Sequence, residues 1–171
     1  MANTYTLIAS LNANSGNTSS FNFTSIPQTY TDLVILCSFR STRGGANIGD
    51  FGVQFNGSSS NYTRRRLFGD GSGVSSDTGT ALGNAAGNLA STFSSHTVYI
   101  PNYTSSNNKS FSIDSVTENN AASSYTYANL ISALWSDTSA ITSIEVRDFS
   151  DGNANNLVQY STAYLYGIKN S

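Results

Sequence analysis

The chain has 171 residues, a formal net charge of −2 and a charged share of only 11%, so Ser, Thr, Asn and Gly must cover most of its surface. This length suits one domain with a sizeable core, and the near-neutral charge excludes a general attraction to nucleic acid or to acidic membranes. The start, MANTYTLIASL, lacks the basic and long apolar segments of a signal peptide, and no stretch reaches the roughly 18 apolar residues of a membrane span. We therefore expect a protein made in the cytoplasm, with no nucleic acid partner and no membrane partner.

Alternation of apolar and polar residues, the pattern of half-buried strands, runs through most of the chain. The most apolar stretch, residues 32–41 (DLVILCSFRS), is apolar on both faces, which predicts a strand in the middle of a packed sheet. The pattern predicts nine or ten strands, at residues 4–11, 21–25, 32–41, 51–55, 62–68, 97–100, 109–117, 125–135, 141–146 and 157–168. These elements indicate an all-β protein, a single-domain antiparallel β-sandwich of jelly-roll type that spans residues 1–171.

Two stretches fit this pattern less well. Residues 69–90 (GDGSGVSSDTGTALGNAAGNLA) predict a long irregular loop, of the kind that is functional or lies against a neighbour. A short helix around residues 82–89 is the alternative there, but its glycines argue against one. Residues 125–135 fit helical spacing and strand alternation about equally, and the strands on both sides favour a strand.

One histidine and one cysteine limit the chemistry that the chain can carry. The sequence has no GxSxG nucleophile elbow, so we interpret His96 as a residue of the surface or of a contact between subunits, not as a catalytic base. Cys37 falls within the most apolar strand, which predicts a small buried side chain and not a reactive thiol. Asp114 and Glu118 share one side of a predicted strand, which is typical of a solvated face and not of a glycosidase pair. The sequence thus predicts that the protein is not an enzyme.

Metal binding finds little support in the sequence. A zinc cluster is excluded by the single Cys and single His. Asp70 with Asp77, and Asp148 with Asp151 and Asn153, have the oxygen-rich, glycine-containing composition of weak calcium loops. Neither cluster matches the EF-hand spacing, and Asp and Asn are common in turns because they tolerate left-handed backbone angles. We expect ordinary turns, with no metal and no cofactor.

Arg64, Arg65 and Arg66 form the main run of charge. In a strand, Arg64 and Arg66 point to one face and Arg65 to the other. Two interpretations stay open: a solvated edge strand whose arginines pair with nearby acids, or a contact between chains, for which guanidinium groups are well suited.

Several phrases, taken together, carry a resemblance. They are TYTLIAS, FTSIPQTYTDLVI, VQFNGSSSNYTRRRLFGDGS, YIPNYTSSNNKSFSIDSVTENN, LWSDTSAITSIEV and YSTAYLYGIKNS. The chain resembles, nearly from end to end, a family of small structural proteins of tailed bacteriophages, in particular cyanophages and marine phages. The family is similar to capsid decoration or cement proteins, and the resemblance brings no catalytic residues with it.

The resemblance implies a protein of the virion that binds the outer surface of the head and stabilises the shell by bridging capsid subunits. Its partners would be the major capsid protein and further copies of itself, in a homotrimer. The low charge and the scarcity of Lys and Pro on strand edges agree with a part of an assembly, because free edges are usually guarded by such residues. The residues expected at the contact are Arg64, Arg65, Arg66, Asp70, Asp77 and Tyr103, together with the loop 69–90.

The alternative is a receptor- or carbohydrate-binding domain of a tail fibre or spike. Exposed aromatic rings would then stack on sugars, and the candidates are Trp135, Tyr62, Tyr103, Tyr125 and Tyr127. Packing within the core explains the same residues, and we favour that explanation.

Overall fold

The structure is a computed structural model, which describes residues 4–15, 18–43, 48–79, 85–86, 92–118, 126–150 and 155–169. Within these residues the chain forms thirteen strands and no helix. The strands are β1 (Tyr5–Asn12), β2 (Phe21–Phe23), β3 (Asp32–Phe39), β4 (Ile48–Gly49), β5 (Phe51–Phe55), β6 (Tyr62–Gly69), β7 (Val74–Gly79), β8 (Ala85–Ala86), β9 (Ser94–Ile100), β10 (Lys109–Thr117), β11 (Tyr127–Trp135), β12 (Ile144–Asp148) and β13 (Thr162–Ile168).

The strands form a sandwich of two antiparallel sheets. Eight strands lie in the large sheet in the order β1-β13-β3-β9-β10-β11-β6-β7, and three lie in the small sheet in the order β2-β12-β5. The short strands β4 and β8 pair as a separate ribbon. The predicted all-β antiparallel sandwich is confirmed, and its strand order is compatible with jelly-roll connectivity without establishing it.

Strand β3, the most apolar stretch of the sequence, lies within the large sheet between β13 and β9. Leu33 and Ile35 are completely buried on its inner face, and Val34 on the outer face is only 5% exposed. Cys37 is buried on the inner face as expected, and burial raises the pKa of its thiol. The prediction of a central strand is therefore confirmed.

Aromatic rings join the two sheets. Phe55 on the small sheet meets Trp135 on the large sheet edge to face at 5.5 Å, and Tyr62 stacks on Trp135 at 6.2 Å. Phe111 meets Phe55 at 5.1 Å in the same cluster. Burying a large apolar side chain contributes about 1.5–3 kcal/mol, so this cluster is a principal source of the attraction between the sheets.

Two expectations about local structure are settled by the pairing. Residues 127–135 form a strand, as favoured over a helix. The expectation of an irregular loop at 69–90 is wrong for residues 74–79, because β7 pairs with β6 in a hairpin. Ala85–Ala86 is a strand and not part of a helix, while the rest of the helix alternative at 82–89 lies outside the described residues.

Candidate interaction surface

The arginine run on β6 forms an ion-pair network inside the hairpin of β6 and β7. Arg64 and Arg66 point inward and both approach Asp77 of β7. The Arg64 Nη2 atom lies 3.4 Å from Asp77 Oδ1, and Arg66 donates from Nε to the same oxygen at 3.2 Å and from Nη2 to Oδ2. The outward Arg65 is exposed, so the predicted division of the run between two faces holds.

The burial of Arg64 decides whether this part of the network can contact a partner chain. Arg64 is only 7% exposed, and desolvation lowers its pKa, as does the positive charge of Arg66, while Asp77 and Asp50 act the other way. Arg64 is therefore too deeply buried to reach a partner chain, which corrects its assignment as a contact residue. β6 is also not an edge strand, because it lies between β11 and β7.

Asp70 closes the turn of the same hairpin. Its Oδ1 atom accepts hydrogen bonds from the backbone N–H of Ser72 at 2.9 Å, from the Ser72 hydroxyl at 2.7 Å and from the Gly73 N–H at 3.0 Å. These hydrogen bonds lower the pKa of the Asp70 carboxyl. Asp70 is engaged in the turn and Asp77 with the arginines, so the two acids do not share one site.

Asp148 is buried, and its carboxylate accepts hydrogen bonds from three segments of the chain. It is 2% exposed, and its Oδ2 accepts the hydroxyl of Ser41 at 2.5 Å. Its Oδ1 accepts the backbone N–H of Asp50 at 3.0 Å and both the N–H and the hydroxyl of Ser150. Asp151, expected beside it in a calcium loop, lies outside the described residues together with Asn153. Among the residues that are described, no group of three or more His, Cys, Asp or Glu is placed to hold a metal ion.

The aromatic residues considered for sugar stacking are mostly in the core. Trp135 is 1% exposed and Tyr103 is completely buried, with its hydroxyl donating to the carbonyl of Pro27. The expectation that Tyr103 contacts a partner is therefore wrong, because no part of it reaches the surface. Burial raises the pKa of the half-buried Tyr62 to about 12, and the backbone N–H of Phe55 donates to its hydroxyl at 2.8 Å. Tyr127 is half-buried against β6, and Tyr125 lies outside the described residues.

His96 is buried on the inner face of β9, so its placement on the surface or at a subunit contact was wrong. Its exposure is 1%, its ring stacks on Phe51 at 3.8 Å, and its Nε2 atom lies 2.7 Å from the Ser94 hydroxyl. Burial lowers the pKa of His96 to about 3, which keeps the ring neutral at ordinary pH. The residue contributes packing to the core.

A concavity of about 430 Å³ lies beside the small sheet, lined by Gln54, Tyr62, Arg147 and Phe149 among others. The Phe149 ring lies so close to Gly52 that a Cβ there would meet it at 2.6 Å, and the Arg147 guanidinium covers the ring at 4.3 Å. The aromatic surface of this concavity is thus already occupied by Arg147.

The most extended surface is the outer face of the large sheet, which we define as the strand positions that point away from the small sheet. Of the exposed large apolar side chains in the described part of the chain, all except Tyr160 lie on this face, namely Tyr5, Leu7, Leu36, Leu67, Val74, Tyr99, Val116, Leu130 and Tyr164. Among the described strand residues of the face, Arg65 and Asp114 carry its exposed charges. A broad and nearly uncharged face of this kind marks an interaction surface.

Sequence reasoning missed this surface, although the sequence carried a signal for it. In β11, for example, Leu130 stands at a position where alternation calls for a polar residue, since Ile131 and Ala133 already fill the inner face. The apolar residues on both faces that predict a central position for β3 have counterparts at Leu67 of β6 and Leu130 of β11, and these are the sequence signal of the outer face.

Comparison with known protein families, curated proteins and solved structures finds no match to this chain. In the part of the chain that the structure describes, no helix is long and apolar enough to cross a membrane.

Proposed function

We propose that the protein is a structural part of a phage particle that attaches to the outer surface of the head and bridges capsid subunits. The observation that carries the proposal is the outer face of the large sheet, where apolar side chains stand exposed with little charge around them. A free protein gains little from such a face, whereas a part of an assembly buries it against neighbours.

One edge of the large sheet also supports an assembled state. β1 forms one edge of the large sheet, and its sequence YTLIASLN contains neither charge nor proline. Exposed edges of free proteins are usually guarded by such residues. The other edge, β7, carries the inward-pointing Asp77, which is a guard of this kind, so β1 alone is an unguarded edge. The phage particle as the location, and the major capsid protein and further copies of the chain as the partners, come from the resemblance to small phage structural proteins.

The work of such a protein is mechanical. Each stable contact between proteins buries roughly 1,200–2,000 Å², and many copies on one shell add these contacts together. The shell then resists internal pressure and heat because more surface must be exposed before it opens. No bond is made or broken in this role, which agrees with the burial of His96 and Cys37.

A tail-fibre or spike domain that binds receptors or sugars is the competing role. The aromatic residues proposed for it are largely unsuited, because Trp135 and Tyr103 are buried in the core. Tyr5, Tyr99 and Tyr164 are exposed on the outer face and could stack on sugars. The test below therefore includes an outcome that would assign this role.

The test is the copy number of the chain in purified virions of the phage that encodes it, measured against the major capsid protein by quantitative mass spectrometry. Hundreds of copies per particle, in a fixed ratio to the capsid protein, are expected for a head protein. A few dozen copies or fewer would assign it to the tail, and its absence from purified virions would overturn both roles. Particles that lack the chain should also open at a lower temperature than complete ones.

A further inference from the structure

One half of the outer face carries a contiguous apolar patch, formed by Leu67, Val74, Val116 and Leu130. These side chains are 50%, 74%, 53% and 57% exposed. Strand pairing places Leu130 of β11 directly beside Leu67 of β6, and in the next row Val116 lies beside Ala128 and Val74 beside Gly69. Together they line a concavity of about 500 Å³. The patch is large enough that covering it would remove a substantial apolar surface from water.

Arg65 and Asp114, the exposed charges among the described strand residues of the face, flank this patch with opposite signs. Asp114 lies on β10, beside Leu130, and Arg65 lies on β6, beside Ser132 of the same strand β11. β11 separates the two charges, so their strands are about 10 Å apart. A surface with a cation on one side of an apolar centre and an anion on the other is complementary to a copy of itself.

We propose that two copies of the chain associate through this patch about a two-fold axis that lies in the plane of the face and passes over β11 beside Leu130. Such an axis runs obliquely to the strands, because Arg65 and Asp114 lie one row apart on either side of β11. It brings Arg65 of each copy opposite Asp114 of the other, so that this ion pair forms twice, and it brings Leu130 of each copy close to Leu67 of the other. Two-fold contacts of this kind are self-complementary by symmetry and are the commonest in soluble oligomers.

The area fits a stable but modest dimer. An axis over β11 overlaps the part of the face from β9 to β7, five strands at a spacing of about 4.8 Å and about 25 Å long. Each copy would contribute roughly 600 Å², or about 1,200 Å² in total, which is at the lower end of specific interfaces. Interfaces of this size are typical of transient contacts, so we expect a reversible monomer–dimer equilibrium and not a permanent dimer.

This contact does not depend on the particle to which the protein belongs. It replaces the three-fold assembly expected from the resemblance, because an in-plane two-fold axis closes the contact with two copies. The half of the face that carries Tyr5, Leu7 and Tyr164 stays uncovered in the dimer and remains open to a different partner.

The experiment measures the mass of the full chain in solution by sedimentation velocity over a range of concentrations. We expect a monomer–dimer equilibrium, which Leu130→Lys shifts to the monomer. Arg65→Asp and Asp114→Arg should each weaken the dimer about tenfold, because like charges then face each other, and the double variant should restore it. The recovery is diagnostic, since the two side chains lie on strands that are not neighbours within one copy.

The matched control is Leu7→Lys, which introduces the same charge at a similarly exposed position of β1. It should leave the dimer unchanged. Circular dichroism checks that each variant keeps its strand content, and since all four positions are exposed, we expect them to fold. A wild-type monomer at every concentration, a trimer, a dimer that Leu7→Lys disrupts but Leu130→Lys does not, or a double variant as weak as the single ones would each overturn the proposal.

Discussion

The buried His96 makes the stability of the protein depend on pH in the acid range. Its pKa is lowered by burial to about 3, whereas a histidine in an unfolded chain titrates near pH 6.5. Between these values the unfolded chain binds a proton that the folded chain does not. The contribution of the neutral His96 to the free energy of unfolding is therefore fully present above about pH 6.5. It is lost as the pH falls towards 3, by about 1.4 kcal/mol per pH unit.

The variant His96→Gln isolates this effect because it keeps a polar group near Ser94 but cannot take up the proton. We expect it to be less stable than the wild type at pH 7, since it loses the stacking on Phe51. The difference in the free energy of unfolding should then shrink as the pH is lowered from 6 to 4, as measured by urea denaturation at each pH. Parallel pH curves for the two proteins would contradict the assignment of this acid sensitivity to His96.

The arginine run shows how far sequence could predict individual residues. Strand alternation correctly assigned Arg64 and Arg66 to one face and Arg65 to the other. It did not identify which face was inside, because that depends on Asp77, eleven residues beyond Arg66 on a strand that was not predicted. His96 was misplaced for the same reason, since Phe51, the ring on which it stacks, comes from a strand of the small sheet.

At the scale of elements, β13 depends on a close approach between its backbone and the segment before β3. Gly167 faces the ring of Tyr30, and a Cβ at this position would lie 2.4–2.6 Å from three ring atoms. We expect Gly167→Ala to destabilise the fold by about 1–3 kcal/mol, because the ring or the strand must move. Thermal unfolding followed by circular dichroism measures the loss.

The control for this prediction is Gly73→Ala, in the turn between β6 and β7. A Cβ at Gly73 would have nothing within 4 Å, and its backbone is not in the left-handed region. It should therefore change the stability little. Equal melting temperatures for Gly167→Ala and the wild type would contradict the prediction, because they would show that the Tyr30 ring can move without loss of stability.

The strands themselves were predicted well where the sequence alternates. Each of the ten predicted stretches overlaps a strand of the structure, since burial of one face selects apolar residues at every second position. The last two were predicted to start too early, because β12 begins at Ile144 and β13 at Thr162. β7 was missed because VSSDTG contains one large apolar residue and no alternation. β7 is stabilised by its pairing with β6 and by the ion pairs of Asp77 with Arg64 and Arg66. The local sequence does not reveal these interactions.

At the scale of the whole molecule, the contact between the sheets decides whether the chain unfolds as one unit. A single domain, as predicted from the sequence, should unfold in this way. The aromatic cluster of Phe55, Tyr62, Phe111 and Trp135 joins the small sheet to the large one. Trp135 is the single tryptophan and is 1% exposed within this cluster. Its fluorescence therefore reports on the contact between the sheets, while far-ultraviolet circular dichroism reports on the strands.

We expect both signals of the wild type to change at the same urea concentration, because neither sheet has a core without the other. Phe55→Ala should lower the free energy of unfolding by about 3–5 kcal/mol, as cavities at large aromatic residues do, and should shift both signals together. Leu7→Ala, which truncates a half-exposed side chain of β1, is the control and should change stability by less than about 1 kcal/mol. If Phe55→Ala separated the two transitions, the large sheet would be stable on its own and the chain would not be one cooperative domain.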